Sequence, residues 1–172
     1  MKRLLLLRHA KAVASVDGDD FDRGLTASGE ADAERVGDYI AAQGLQTDFV
    51  LCSGARRTVD TARIVIGRWS RPVETFAENA LYEATWRLIL ALLRDLPSSA
   101  SSALLVAHNP GVSDIGNQLA GEGDRNARLR MASKYPTSGL AVIELPAAGW
   151  TDLSPRSGKL ERFVTPADLG LR

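Results

Sequence analysis

A three-layer α/β/α sandwich around a mostly parallel sheet, with an antiparallel edge strand, is the fold class the sequence predicts. Three observations carry it. Apolar runs of strand length alternate with amphipathic stretches of helical spacing along the 172 residues. The runs at residues 4–7 and 103–107 are apolar without alternation, as in parallel strands covered on both faces. The loops between elements are too short to separate two cores, so a single domain spanning 1–172 is expected.

Each element follows from its residues. Four leucines make strand one, which stops at Arg8-His9. Residues 16–24 form a polar loop with Asp17, Asp19, Asp20 and Asp22. The ligand spacing of a calcium loop is incomplete there and no glutamate closes it, so calcium is not expected. Thr26 or Ser28 caps a first helix carrying Ala31, Val36, Tyr39 and Ile40, and Gly44 supplies its stop. Phe49, Val50 and Leu51 form strand two. Residues 56–69 predict a second helix with Ala62, Val65, Ile66 and Trp69 on its apolar side, and residues 72–76 a third strand. Residues 81–96 predict a third helix whose inward set is Leu88, Leu92 and Leu96, with Ile89 and Leu93. Strand four, residues 103–107, runs into His108-Asn109-Pro110-Gly111, and a fourth helix extends to about Ala120. Residues 121–137 read as a polar loop bearing Arg125, Arg128, Arg130 and Lys134. Residues 140–145 are a strand, and residues 150–153 and 159–164 add a hairpin or edge strand.

Composition narrows the function classes. Basic and acidic residues number 21 each, which argues against a nucleic-acid or membrane-surface protein while leaving room for a local basic pocket. Cys52 is the one cysteine, so neither an internal disulfide nor a cysteine-based zinc site is expected, and its place after a strand predicts a buried thiol. The leucine run is far short of a membrane span or a signal core and ends in Arg-His-Ala-Lys, so a cytoplasmic protein is expected.

The chemistry lies at the strand ends. Strand one ends in Arg8-His9, strand two runs through Ser53 to Arg56-Arg57-Thr58, and strand four ends in His108-Asn109. Right-handed crossovers put the carboxyl ends of parallel strands on one edge of the sheet, where open α/β folds bind ligands. Both histidines of the chain are therefore expected to meet there beside two or three arginines. A dication is repelled by clustered guanidiniums, and a metal site would want carboxylates or more imidazoles. A serine-hydrolase elbow, a phosphate loop and a dinucleotide fingerprint are all lacking. Guanidiniums match phosphate oxygens and stay charged, phosphoryl transfer is limited by positioning and charge, and a neutral imidazole can attack phosphorus. The set suits a phosphatase that needs no metal and no cofactor.

The motif Leu7-Arg8-His9-Ala10-Lys11 resembles the Arg-His-Gly signature of the histidine phosphatase superfamily, in the variant with Ala after His that marks SixA-type phosphohistidine phosphatases. The resemblance continues through residues 20–29, 50–58, 81–83, 106–111 and 136–139. It implies a phosphoglycerate mutase-like fold, His9 as the phosphorylated nucleophile, and Arg8 and Arg57 as binders of the phosphoryl oxygens. It implies also that His108 stabilises the equatorial oxygens, and that Glu83 stands where the wider superfamily places an acid for the leaving group. For Glu83 the alternative is a glutamate favoured by a helix start. Asn109, the helix start near Pro110 and Thr58 are candidates to orient the phosphoryl group. Arg23 is expected either at the pocket rim or paired with the loop aspartates, and Arg56 as an exposed helix-start residue. Gly24 and Gly54 replace the family's prolines and Ala107 its glycine, which affects loop geometry without removing a chemical group.

The chain carries no insertion to roof the pocket. An open site suits a phosphorylated side chain on another protein, such as a phosphorelay or phosphotransfer domain, and the arginines of residues 121–137 are candidates to dock an acidic partner. A small phosphate ester handled by a phosphomonoesterase or mutase is the second reading, and an inactive phosphate-binding or scaffold module the third. Phosphate or sulfate is expected to occupy the pocket.

Overall fold

The four leucines of strand one point alternately to two different cores, and the rest of the molecule is layered around them. In the computed structural model, which describes residues 1–15 and 18–170, strand β1 spans Lys2–Arg8 and all four leucines are fully buried. Leu4 and Leu6 enter one apolar cluster, Leu5 and Leu7 the other, as the two-residue period of a strand requires. The other strands are β2 (Phe49–Ser53), β3 (Glu74–Glu78), β4 (Ser102–Ala107), β5 (Ala120–Gly123), β6 (Leu140–Leu145) and β7 (Gly158–Val164). They form one seven-stranded sheet in the order β3-β2-β4-β1-β6-β7-β5. Val16 and Asp17 of the expected polar loop lie outside the described residues.

Helices α1 (Ala27–Ala42) and α2 (Arg56–Gly67) cover one face through Val36, Ile40, Ala62 and Val65. Helices α3 (Trp86–Arg94), α4 (Gly111–Leu119) and α5 (Arg125–Ser133) cover the other through Ile89, Leu93, Ile115 and Met131. Thr26 caps α1 by accepting from the Gly29 amide. The helix ends with Gly44 at φ 67°, where Gly44 N–H donates to Ala41 and Leu45 N–H to Ile40, closing the last carbonyls in a left-handed cap.

Several expectations are corrected. The pairings among β1, β2, β3 and β4 are all parallel and the strand that runs the other way is β6, but it lies in the interior between β1 and β7 rather than at an edge. Residues 121–137 are not a loop: they hold the end of β5 and the whole of α5, which packs Met131 into the core and is capped by Asp124. Its polarity hid it, because a helix with one strongly buried residue has little apolar period. The third helix begins only at Trp86, since Thr85 caps it and Asn79–Leu81 is a 3₁₀ turn. That start turns Ile89, Leu90 and Leu93 inward and leaves Leu88 exposed. In α1, Ala31 is exposed and Ala33 takes its place. Trp150–Asp152 is a 3₁₀ turn that buries Trp150 against the Ala100 carbonyl.

Candidate active site

Adjacent parallel strands bring the two histidines together. β1 and β4 pair with Arg8 opposite Ala107, so His9 and His108 leave the sheet side by side, with the His9 amide donating to the Ala107 carbonyl. Their ring centroids are 5.3 Å apart. The ring of His9 is held by a 2.7 Å contact between its Nδ1 and the carbonyl of Ala10, which assigns the hydrogen to Nδ1 and leaves an Nε2 lone pair. The Ala10 amide in turn donates to Thr61 Oγ1 on α2. Ser53, the last residue of β2, lies 2.8 Å from His108 Nε2. Ser53 Oγ accepts from the Ala55 amide and keeps a hydrogen that it can give to Nε2, the arrangement in which His108 carries its own hydrogen on Nδ1.

The cations surround this pair. Arg57, at the start of α2, is buried and gives Nη1 to the Asp20 carbonyl and Nη2 to its carboxylate. The Tyr82 hydroxyl donates to the same Asp20 oxygen, and the Tyr82 ring packs edge-on to His108. Arg8 donates Nη1 to the Tyr135 carbonyl, which also accepts from Asn109 Nδ2. Arg23 pairs with Asp20 and donates to the Val13 carbonyl, and its charge still reaches His9. Arg56 is exposed and pairs with Asp60. Glu83 is exposed at φ 62°, next to Tyr82 and before α3 rather than in the helix, and no contact ties its carboxylate to the histidines. Arg8 Nε, Arg57 Nε and His108 Nδ1 are buried polar atoms without a hydrogen-bond partner among the described residues. Three such groups, on one of the paired rings and on two arginines whose charges act on both rings, are costly unless something else binds them.

The electrostatics keep both rings neutral. Burial, followed by the charges of Arg57, Arg8 and Arg23, lowers His9 to about 4 against the opposing hydrogen bond to Ala10. Burial, then His9 and Arg57, lowers His108 to about 3. Asp20 is held down to about 2, first by the Tyr82 hydroxyl and then by its arginines. No group of three or more His, Cys, Asp or Glu side chains among the described residues is placed to hold a metal ion. No helix among them is long and apolar enough to cross a membrane.

The model of the histidine phosphatase superfamily (branch 1) matches residues 4–87. An uncharacterised protein of Mycobacterium tuberculosis is 31% identical over 163 residues, which cover 93% of this chain and 99% of the relative. The chain belongs to the histidine phosphatase superfamily, branch 1. Among solved structures of the superfamily, a protein classed as phosphohistidine phosphatase SixA from Agrobacterium tumefaciens superposes with a TM-score of 0.81. It is 29% identical, with 96% of this chain and 98% of the other covered. The protein histidine phosphatase SixA complexed with tungstate shares the fold, with a TM-score of 0.79 at 20% identity over 97% and 99% of the two chains.

Within this superfamily member the site includes residues that the sequence reading passed over. Asp20 looked like one of four loop acids, and only the fold shows it bridging Arg57, Arg23 and Tyr82. Ser53 stood in a matched segment, yet its bond to His108 spans 55 residues. Ser138, at φ 60°, donates its amide to the carbonyls of Arg8 and His9 and so fixes the end of β1. Thr61 is one helical turn from Arg57, a spacing that could have flagged it.

Proposed function

We propose that this chain is a phosphohistidine phosphatase that needs no metal and acts on phosphohistidine displayed by another protein. The observation that carries the reading is the unfilled set of Arg8 Nε, Arg57 Nε and His108 Nδ1 beside a neutral His9. A phosphoryl group supplies acceptors for all of them. The tungstate bound by a relative of the same fold is an anion of that kind. In the first step His9 Nε2 forms a bond to phosphorus while the bond to the substrate's imidazole breaks, the leaving ring carrying its proton away. Water then attacks phosphorus, the His9–phosphorus bond breaks, and inorganic phosphate leaves with the neutral ring restored. Arg8, Arg57 and His108 hold the equatorial oxygens through both steps, and Asn109 positions the Arg8 anchor by sharing the Tyr135 carbonyl.

An imidazole leaves without help, whereas an alcohol needs a proton. The exposed Glu83, untied to the pair, fits a reaction that does not depend on it. The test is a single turnover with a 32P-labelled phosphohistidine peptide, quenched in base and mapped for acid-labile label. Label on His9, absent in His9→Gln, is expected. Faster turnover of sugar phosphates than of the peptide would overturn the reading in favour of a small-molecule esterase. Glu83→Gln is expected to keep peptide turnover within about threefold while slowing alkyl phosphate esters by roughly 10²-fold or more. Parallel losses on both substrates would make Glu83 a general acid for each.

A further inference from the structure

Helix α5 carries a strip of uncommitted positive charge around an exposed leucine, and the strip leads to the active-site edge. Leu129 is 53% exposed and lines two hollows at once. The larger, of about 750 Å³, is lined by Leu129, Phe163, Pro136 and Pro166 together with Lys134. The smaller, of about 450 Å³, gathers Arg125, Arg128 and Arg156. None of these four cations makes an ion pair among the described residues. Elsewhere Arg3, Arg56, Arg63, Arg68 and Arg71 each stand against an acid, and Lys11 and Arg87 are unpaired among the described residues but isolated in the chain, so the strip is distinguished by clustering. Of the acids close in sequence to the strip, Asp124 caps α5, Asp152 accepts from the Gly149 amide, Glu161 pairs with Lys159 and Asp168 is taken by Arg130 and Thr165, leaving Glu122.

The larger hollow adjoins the phosphoryl pocket. β7 runs in the same direction as β1, so the chain leaving Val164 emerges on the edge where Arg8 and His9 emerge. Pro136 and Thr137 line the hollow, the preceding Tyr135 carbonyl anchors Arg8 and Asn109, and the following Ser138 amide holds the end of β1. We propose that the α5 strip is the docking surface for the phosphorylated partner, an acidic protein segment that seats an apolar side chain against Leu129 and Phe163. The assignment rests on the phosphoprotein reading above. Charge complementarity selects the occupant: unpaired cations steer acidic partners and a central apolar contact holds them.

Two phosphohistidine peptides of equal length test it, one with Asp/Glu flanks and a leucine, the other with Asn/Gln flanks and the same leucine. Through electrostatic steering the acidic peptide is expected to have kcat/KM higher by about tenfold in low salt, with most of the preference lost at high ionic strength. In the double variant Arg125→Glu/Arg128→Glu the preference is expected to vanish while p-nitrophenyl phosphate turnover stays unchanged. Leu129→Ser is expected to raise KM for both peptides without altering that turnover. Equal kcat/KM for the two peptides, or a preference that survives the double variant, would overturn the assignment. So would binding to phosphatidylserine vesicles that the double variant abolishes, which would give the strip to a membrane. Failure of both peptides to turn over would count against the phosphoprotein reading. In that event anisotropy with the unphosphorylated acidic peptide still decides the strip: binding lost in the double variant supports it, and no binding overturns it.

Discussion

A buried imidazole among arginines refuses protons that an exposed one would accept, and at this site that applies to both rings. With His9 at about 4 and His108 at about 3, the acid limb of kcat/KM for p-nitrophenyl phosphate is expected below pH 5. A limb centred near pH 6.5, after allowance for the substrate's own ionisation, would show that the rings titrate like exposed ones. The same depression links pH to stability. The unfolded chain binds protons on these histidines from about pH 6.5 downward, whereas the folded chain binds them only near 4 and 3. The unfolded state thus holds more protons in that window, and the stability gained by keeping the rings neutral is full above 6.5 and drains away as pH falls towards 4. The loss is on the order of a few kcal/mol, readable as a falling urea midpoint between pH 7 and 4.5. It should be much flatter in His9→Gln/His108→Gln. Asp20 has the opposite chemistry and the same sign: its lowered carboxyl contributes above its ordinary value and fails only as pH falls through about 2. The contribution is small because the side chain is 45% exposed.

At the scale of elements, the chain after His9 is held by close packing as much as by hydrogen bonds. A Cβ on Gly29 would sit 2.2 Å from the Lys11 carbonyl, so the first turn of α1 touches the loop that carries Ala10. Gly29→Ala is expected to lower the melting temperature and, by displacing the Ala10 carbonyl that fixes His9, to cut kcat by roughly tenfold or more. Unchanged kcat in a folded variant would show that the loop moves independently of the ring. The strand-one leucines, the Thr26 cap and the Gly44 stop were legible because each depends on neighbours a few residues away. So were Arg8, His9, Arg57 and His108 as a group, because the ends of parallel strands share an edge whatever the packing details. Helix α5, the interior position of β6 and the Asp20 bridge were not. Each is decided by partners far along the chain, Phe163 and Leu160 beside α5 and β5, Leu5 opposite Val142, and Tyr82 across 62 residues.

For the whole molecule, the sheet order decides which groups can be neighbours. β1 lies at the centre, with β4 on one side and β6 on the other, and each contributes to the pocket: His108 from the exit of β4, Ser138 from the entry to β6. Because β6 runs the other way, its beginning faces the site, which is why the chain after α5 reaches Arg8 at all. The pairing of β1 with β4 has one more consequence. The hydrogen-bonded ladder sets the distance between the backbones that carry the imidazoles, like that of adjacent teeth on a comb, and the short segment after His9 only sets the turn of one ring. Warming the protein should therefore leave turnover intact until the ladder itself melts, with residual activity and near-ultraviolet dichroism disappearing at one temperature. Inactivation several degrees earlier would mean that the chain beyond the strands, and not the ladder, keeps the rings in step.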